Sequence, residues 1–303
     1  MSSEDAGLAV LAVGEAMVEL SASATPGQWH LGFAGDTLNT AWYLRRLLPP
    51  EQAVGYLTRV GQGGFSRRMV DFIARAGIVT DHVGTDPGRE VGLYAIDLDR
   101  GERSFTYWRS ASAARGLAQD ADELSRAFAR ARVIYLSGIT AAILPPSGRE
   151  TLALALGQAR DRGAQVVFDP NIRPRLWEDA ATMRDQVTRF AGLSDLVLPS
   201  MDDEAAHFGD AGPGATIDRY LAAGAAQVVV KAGGGPVHYG GPAQGCVEGL
   251  ERAVPVDTTA AGDSFNAGYL AARLQGRAVE EAIRAGHAIA LRVVGARGAL
   301  VEI

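Results

Sequence analysis

The stretch VDTTAAGDSFNAGYLAARLQG, from Val256 to Gly276, places small residues and an acid ahead of an amphipathic helical pattern. Small residues let backbone N–H groups approach a ligand closely, and a helix N-terminus carries free N–H donors with a partial positive charge. The stretch therefore predicts an anion site formed by the amides around Ala260, Ala261 and Gly262. Asp263 is then either a general base that faces a substrate hydroxyl or an ordinary helix N-cap, and the residues alone leave both open.

The rest of the chain alternates strand and helix patterns. Apolar runs of strand length are LAVLAVG from Leu8, VIYLSG from Val133, QVVFDPN from Gln165, DLVLPS from Asp195 and QVVVKAG from Gln227. They lack strict alternation, as expected for strands buried on both faces of a parallel sheet. Helical patterns such as TLNTAWYLRRLL and SRRMVDFIARAG lie between them. This order predicts a doubly wound α/β fold, as one domain over residues 1–303.

Two segments depart from that order, at about residues 15–35 and 89–110. Both alternate apolar and polar residues around turns such as DRGE, Asp99 to Glu102. This pattern predicts antiparallel hairpins with one exposed face, which together form a small β lid or a dimer surface.

The composition limits the classes of protein to which the chain can belong. The chain has 47% hydrophobic and 21% charged residues, which is typical of a globular protein, and its net charge of -6 argues against a nucleic-acid or anionic-membrane surface. Cys246 is the only cysteine, so no intramolecular disulfide is possible and a reducing compartment is expected. An acidic opening without a signal-peptide pattern, and no apolar run of membrane-spanning length, predict a cytoplasmic protein.

Several motifs are missing from the sequence. It contains neither a G-x-x-x-x-G-K-[ST] phosphate loop nor a G-x-G-x-x-G dinucleotide fingerprint after a strand. There is also no histidine pair at helical spacing and no G-x-S-x-G elbow, which excludes metalloprotease and α/β-hydrolase interpretations.

The stretch DTTAAGDSFNAGYLAARL resembles the C-terminal signature of the ribokinase-like (PfkB) family of carbohydrate kinases, and GFAGDTLNTAWYLRRL resembles its N-terminal glycine signature. The resemblance covers essentially the whole chain. GEAMVELS, GLYAIDLDRGERSFTYWR, YLSGITAAIL and FDPNIRPRLW occur in the order found in the members that phosphorylate 2-keto-3-deoxygluconate. The family signature usually has glycine where this chain has Ala260 or Ala261, and we interpret the double alanine as a mark of the sugar-acid subtype.

The resemblance implies a ribokinase-like fold with a β lid and an assignment of roles. Asp263 would be the general base, and the amides of Ala261 and Gly262 would form the anion hole. The implied substrate-binding residues are Gly35, Asp36, Asn39, Tyr94, Tyr107, Arg109, Asn171, Arg173 and Asp263. Arg109 and Arg173 would bind the substrate carboxylate, unless they form ordinary ion pairs. Tyr94 and Tyr107 could instead simply pack within the small sheet.

The resemblance also implies ATP and Mg²⁺ as cofactors. ATP would lie beside Lys231, Gly233, Gly235, Ala260, Ala261, Gly262 and His287, although His287 could equally be a half-buried helix residue. Relatives often organise Mg²⁺ with Asn-x-x-Glu, but this chain has Ser200 and Asp203 at those positions, so Asp203 or Glu204 would act through water.

The activity implied is ATP-dependent phosphorylation of the 6-hydroxyl of 2-keto-3-deoxy-D-gluconate, in a homodimer or larger homo-oligomer that associates through the lid. Two alternatives remain at this stage. One is a kinase for a neutral sugar such as fructose, and the other is a non-catalytic sensor of sugar acids.

Overall fold

The structure, a computed structural model, describes residues 7–23, 25, 27–99 and 102–303. The acidic opening at residues 1–6 lies outside the described residues. So do Ala24 and Pro26 of the first lid segment, and Arg100 and Gly101 of the DRGE turn.

A large sheet forms the centre of the molecule. Its strands, in the order in which they pair, are β13 (Gly245–Val247), β12 (Val237–Gly240), β11 (Gln227–Val230), β10 (Leu196–Val197), β9 (Gln165–Asp169), β8 (Ala131–Ser137), β1 (Leu8–Val13), β4 (Val54–Val60) and β5 (Val83–Thr85). The strands from β11 to β5 pair in parallel, and β12 and β13 add an antiparallel edge.

Helices cover both faces of this sheet. They are α1 (Asp36–Leu47), α2 (Gly64–Arg75), α3 (Ala121–Phe128), α4 (Gly138–Ile143), α5 (Pro146–Asp161), α6 (Ala180–Gly192), α7 (Met201–Phe208), α8 (Pro213–Ala223), α9 (Ala261–Leu274) and α10 (Val279–Val294). Among the described residues, none of these helices combines the length and the apolar character that a membrane crossing requires.

The strand β1 shows why the apolar runs lack alternation. Leu11 and Val13 pack with the core under α3 to α6 and α8, whereas Val10 and Ala12 pack with the core under α1, α2, α9 and α10. A strand between two hydrophobic cores needs apolar side chains on both faces. The predicted doubly wound fold is confirmed.

The two segments predicted to form a lid make a second sheet of four strands, which we call the lid. Its order is β3 (Trp29–Ala34), β2 (Met17–Ala22), β6 (Gly92–Asp99) and β7 (Glu102–Trp108). The pairs β2/β3 and β6/β7 are the two predicted antiparallel hairpins, and a parallel pairing of β2 with β6 joins them.

Candidate active site

The candidate site lies at the carboxyl edge of the large sheet. Asp169 is the last residue of β9, Lys231 directly follows β11, and Glu15 lies two residues after β1. Helices α1 and α9 begin beside this edge and pack against each other. In open α/β sheets, the crevice outside the carboxyl ends of the strands is the usual position for a ligand.

Asp263 lies in the first turn of α9, and its Oδ2 accepts a hydrogen bond from Nδ2 of Asn39 at 2.8 Å. It is not the N-cap, because Ala260 holds that position without any side-chain cap bond. Burial and the nearby charge of Asp36 raise the pKa of Asp263 to about 8, against the opposing effects of Asn39 and Lys231. A carboxyl group that titrates near neutral pH is suited to general base chemistry.

The first turn of α9 leaves two backbone amides free. The N–H of Ala261 donates to the carbonyl of Thr258 at 3.2 Å, whereas the amides of Gly262 and Asp263 find no acceptor in the described part of the chain. The free donors in this turn are thus the amides of Gly262 and Asp263, whereas the amide of Ala261, the other predicted member of the anion hole, is bonded to Thr258. Ala260 has φ 59°, in the left-handed region that a Cβ disfavours, which explains the glycine common in the family signature.

The start of α1 supplies the residues opposite α9. A Cβ on Gly35 would lie 2.2 Å from the carbonyl oxygen of Glu15, so only glycine lets the helix begin this close to the end of β1. Asp36 accepts a hydrogen bond from Nδ2 of Asn171 at 2.8 Å, and Asn39 holds Asp263. Four of the predicted substrate-binding residues, Gly35, Asp36, Asn39 and Asn171, thus lie close to the predicted base, Asp263.

Lys231 belongs to a buried polar cluster beside these residues, whose other members were not predicted from the sequence. Nζ of Lys231 donates to Asp169 at 2.8 Å and to Oδ1 of Asn266 at 3.1 Å, and Asn266 donates to Asp169 at 2.6 Å and to the Tyr135 hydroxyl at 3.0 Å. The signal that could have revealed it is polar residues at otherwise apolar positions, such as Tyr135 within VIYLSG and Asn266 within the apolar face of α9.

Arg109 forms a buried ion pair with Glu15. Its Nε donates to Glu15 Oε2 at 2.8 Å, and its Nη2 contacts the same oxygen. The side chain of Glu15 is fully buried, and burial raises its pKa while the charge of Arg109 opposes that rise. The charge of Arg109 is therefore largely balanced before any substrate binds, as the ion-pair alternative anticipated.

Arg173 keeps much of its guanidinium accessible. Its side chain is 52% exposed, and its nearest acidic partner is Asp203, with 3.7 Å between Nη1 and Oδ2. Nη1 also donates to the carbonyl of Ile172 at 2.7 Å. Arg173 thus retains donors that could reach a carboxylate in the crevice.

Tyr94 and Tyr107 contact each other within the lid, with their rings tilted by 32°. Their rings are 5.7 Å apart, and the hydroxyl of Tyr94 donates to a carboxylate oxygen of Glu19. Tyr94 is buried against the C-terminal segment and the region of Ala260, whereas Tyr107 is 52% exposed. The packing alternative therefore describes Tyr94 better than Tyr107.

Of the predicted nucleotide-binding residues, Gly233 and Gly235 lie in the turn after β11, whereas His287 lies in α10. Gly233 has φ 55°, and Gly235 closes a tight turn by donating to the carbonyl of Ala232 at 2.8 Å. Nε2 of His287 lies 2.7 Å from the carbonyl of Glu251, in the segment before α9. His287 thus holds that segment, and at 7% exposure it is more buried than the half-buried helix residue that the alternative described.

The prediction that Glu204 helps to hold a metal ion is wrong. Glu204 is fully buried between α7 and α8, where it accepts hydrogen bonds from the Tyr220 hydroxyl at 2.9 Å and from Arg219 at 2.7 Å. Asp203 instead points toward Arg173 and the crevice. No group of three or more potential ligands occurs among the described residues. A single carboxylate is still compatible with Mg²⁺, which usually keeps waters and substrate phosphates as its other ligands.

The fold and this site define an α/β enzyme whose β lid lies beside an acid, two free amides and a buried ammonium. Residues 8–302 match the model of the pfkB family carbohydrate kinases, and the chain belongs to that family. The predicted family is thus confirmed.

Similar proteins cover almost the whole chain. It is 37% identical to a 2-dehydro-3-deoxygluconokinase of Dickeya dadantii (strain 3937), over 96% of each sequence. It is 34% identical to the enzyme of that name from Haemophilus influenzae, over 96% of this chain and 94% of the relative. A crystal structure of a PfkB protein from Polaromonas sp. JS666 superposes with a TM-score of 0.84, at 31% identity and 95% coverage of both chains. A fructokinase from Xylella fastidiosa with bound ATP gives a TM-score of 0.82, at 25% identity over 96% of this chain and 93% of that one.

Proposed function

We propose that this protein transfers the γ-phosphate of ATP to the 6-hydroxyl of 2-keto-3-deoxy-D-gluconate, which yields 2-keto-3-deoxy-6-phosphogluconate. The relatives with 34–37% identity over the full chain carry the corresponding name, 2-dehydro-3-deoxygluconokinase. The observation that carries the proposal is the carboxyl of Asp263, positioned by Asn39 beside two free helix amides.

Asp263 acts as the general base in this proposal. In its ionised form, it removes the proton from the substrate hydroxyl while that oxygen attacks the γ-phosphorus. The free amides of Gly262 and Asp263 donate to phosphate oxygens as negative charge redistributes. Asn39 fixes the orientation of the carboxylate, so little reorganisation is needed at the moment of transfer.

Arg173 is the stronger of the two proposed carboxylate-binding residues. Its guanidinium is half exposed and only loosely paired with Asp203, whereas the guanidinium of Arg109 is already engaged by Glu15. Arg109 would then orient the substrate through its remaining donors and shape the wall beside Gly92. Asp36, Asn171 and Tyr107 would contact substrate hydroxyls.

ATP would lie along the turn that contains Gly233 and Gly235, with its phosphates toward the first turn of α9. The Xylella fastidiosa fructokinase with bound ATP supports this choice of nucleotide. Mg²⁺ would neutralise the phosphates, held through water by Asp203, whose pKa is raised by burial. Lid closure would exclude water, which would otherwise compete as acceptor. A cytoplasmic location stays a prediction from the sequence.

Release of ADP, measured in a coupled assay, tests this function. Wild type and Asp263→Asn are assayed with 2-keto-3-deoxygluconate, its galacto epimer, fructose and ribose. We expect turnover on the sugar acid that falls by about 1,000-fold or more in Asp263→Asn, because the base is lost. Arg173→Met should raise KM for the sugar acid but leave any weak fructose turnover unchanged. Turnover on fructose alone would contradict the sugar-acid assignment, and no turnover on any sugar would favour a sensor.

A further inference from the structure

Lys231 is the only lysine in the chain, although lysine and arginine together number 29. Every other Lys or Arg position is filled by arginine, including the buried guanidinium groups of Arg109 and Arg149. Lysine differs from arginine in presenting a compact point charge with three N–H donors instead of a planar fork. The position of this one ammonium group is therefore informative.

The ammonium of Lys231 is held on one side by buried acceptors. Two of its three N–H donors are used by Asp169 Oδ2 at 2.8 Å and Asn266 Oδ1 at 3.1 Å. Asp169 is 3% exposed and Asn266 is fully buried, and a bond between them fixes both acceptors. The Lys231 side chain itself is only 12% exposed. The positive charge of Lys231 is thus held in a fixed position in the absence of a ligand.

The third donor is left for a ligand. No further acceptor for Lys231 occurs among the described residues, and a methyl group added to Gly262 would lie 3.7 Å from Nζ. Burial raises the pKa of both Asp263 and Asp203, and in each case the charge of Lys231 opposes the rise. The ammonium therefore lies within electrostatic reach of the base, of the proposed metal-organising acid and of the free amide of Gly262.

We propose that Lys231 is a catalytic residue whose third N–H donates to an oxygen of the phosphoryl group being transferred. This inference rests on the proposed function, since it takes ATP as the phosphoryl donor. The substrate hydroxyl oxygen forms the new bond to the γ-phosphorus, and its proton passes to Asp263. The bond from the γ-phosphorus to the bridging oxygen breaks, and ADP leaves with that electron pair.

Asp169 and Asn266 are positioning residues in this step. Charge on the equatorial oxygens of the transferred group is stabilised most by a cation that is already in place. The absence of a side chain at Gly262 leaves the path from the ammonium to the phosphate open. An arginine at position 231 could not keep both short contacts and still present a single donor there.

The test compares the affinities for ATP and ADP, because only ATP carries the group that Lys231 should contact. Calorimetric titrations, without sugar, use wild type, Lys231→Met and the double variant Lys231→Met with Asp169→Asn. The double variant avoids leaving Asp169 as an unpaired buried charge, so that a folded protein is available. We expect ATP to bind about 10- to 100-fold more weakly in both variants, ADP to change by less than about 3-fold, and kcat to fall about 100- to 1,000-fold.

Arg149→Met is the matched control, because it removes another buried cation that is paired with a carboxylate, Glu178, and contacts none of the site residues. Arg149→Met should leave the ratio of the ATP affinity to the ADP affinity unchanged. Asn266→Ala keeps the lysine but removes one anchor, and its loss of affinity should again be confined to ATP. Equal weakening of ATP and ADP, or unchanged affinities in folded variants, would overturn the proposal.

The single lysine permits a direct observation. Protein labelled with [ε-¹⁵N]lysine should give one side-chain nitrogen resonance, which needs no assignment. We expect a non-hydrolysable ATP analogue to shift it clearly more than ADP does. Identical shifts with both nucleotides would contradict a contact with the γ-phosphate. The nucleotide affinities and the lysine resonance are measured without sugar. They therefore still test the contact between Lys231 and ATP if wild type phosphorylates none of the sugars. That failure would refute only the proposed function.

Discussion

Asp263, the proposed general base, carries an energetic cost to the fold. Its ordinary pKa of 3.8 rises to about 8 in the folded protein, because the carboxyl is buried and lies near Asp36. Between these two values the folded state holds a proton that the unfolded state has lost. The contribution of this group to stability is thus complete below about pH 4 and is lost progressively as the pH rises toward 8.

This leads to a prediction for Asp263→Asn, which keeps the size of the side chain but cannot ionise. The stability of the variant relative to wild type should increase from pH 5 to pH 8 and then level off, while activity is lost. Urea unfolding at pH 5, 7 and 9 measures the difference. Asp36→Asn is the control, since removing the neighbouring charge should reduce the pH dependence in a protein that retains Asp263. A pH-independent difference would show that the carboxyl group is not under electrostatic strain.

At the scale of elements, α7 carries two neighbouring acids with separate roles. Asp203 points toward Arg173 and the crevice, whereas Glu204 points into the core toward Tyr220 and Arg219. Burial raises the pKa of Glu204 to about 7 despite Arg219. Successive residues on a helix are about 100° apart, so one can face the ligand while the next faces the core.

Two substitutions should separate these roles. Glu204→Ala leaves the Tyr220 hydroxyl without its acceptor and should lower the free energy of unfolding by roughly 2–4 kcal/mol, with little change in the Mg²⁺ dependence of activity. Asp203→Asn should leave stability within about 1 kcal/mol of wild type but require about tenfold more Mg²⁺ for half-maximal rate. Denaturant unfolding and Mg²⁺ titration of the initial rate measure both. The reverse pattern would restore Glu204 as the metal-organising residue.

The elements also show what the sequence can and cannot reveal. A strand between two cores is continuously apolar, and the sequence therefore predicts strands β1, β8, β9 and β11. Strand β4 is not predicted, since Thr58 and Arg59 interrupt its apolar run and resemble a loop. The sequence also predicts the starts of α1 and α9, because small residues beside an acid at a helix N-terminus are typical of a turn that binds a ligand.

Partners of side chains are less predictable than elements. The contact between Lys231 and Asp169 joins positions 62 residues apart, and that between Arg109 and Glu15 joins positions 94 apart. Neighbouring residues in the sequence do not show whether an arginine side chain is free to bind a substrate or already forms an ion pair with an acidic residue. The fold was thus largely predictable, whereas the different contacts of Arg109 and Arg173, and of Asp203 and Glu204, are visible only in the structure.

At the scale of the molecule, the lid carries aromatic side chains that are about half exposed. The pairing of β6 with β7 puts Tyr94 opposite Tyr107 and Ile96 opposite Phe105, so these four share one lid face. Tyr94 and Ile96 are buried against the body, but Phe105 is 44% exposed and stacks on the exposed Tyr107 with ring centres 6.3 Å apart. Exposed aromatic patches of this kind are typical of protein interfaces.

We therefore expect a homodimer that buries Phe105, and Phe105→Glu should dissociate it by placing a charge in an apolar contact. Light scattering across a concentration series should give twice the 31.8 kDa of one chain for wild type, and the single-chain mass for the variant. Trp29→Glu is the matched control, because Trp29 is similarly exposed, at 43%, but pairs with Ala22 and so lies on the opposite lid face. Dissociation by Trp29→Glu alone would move the interface to that face, and a wild type that is monomeric at every concentration would remove the dimer altogether.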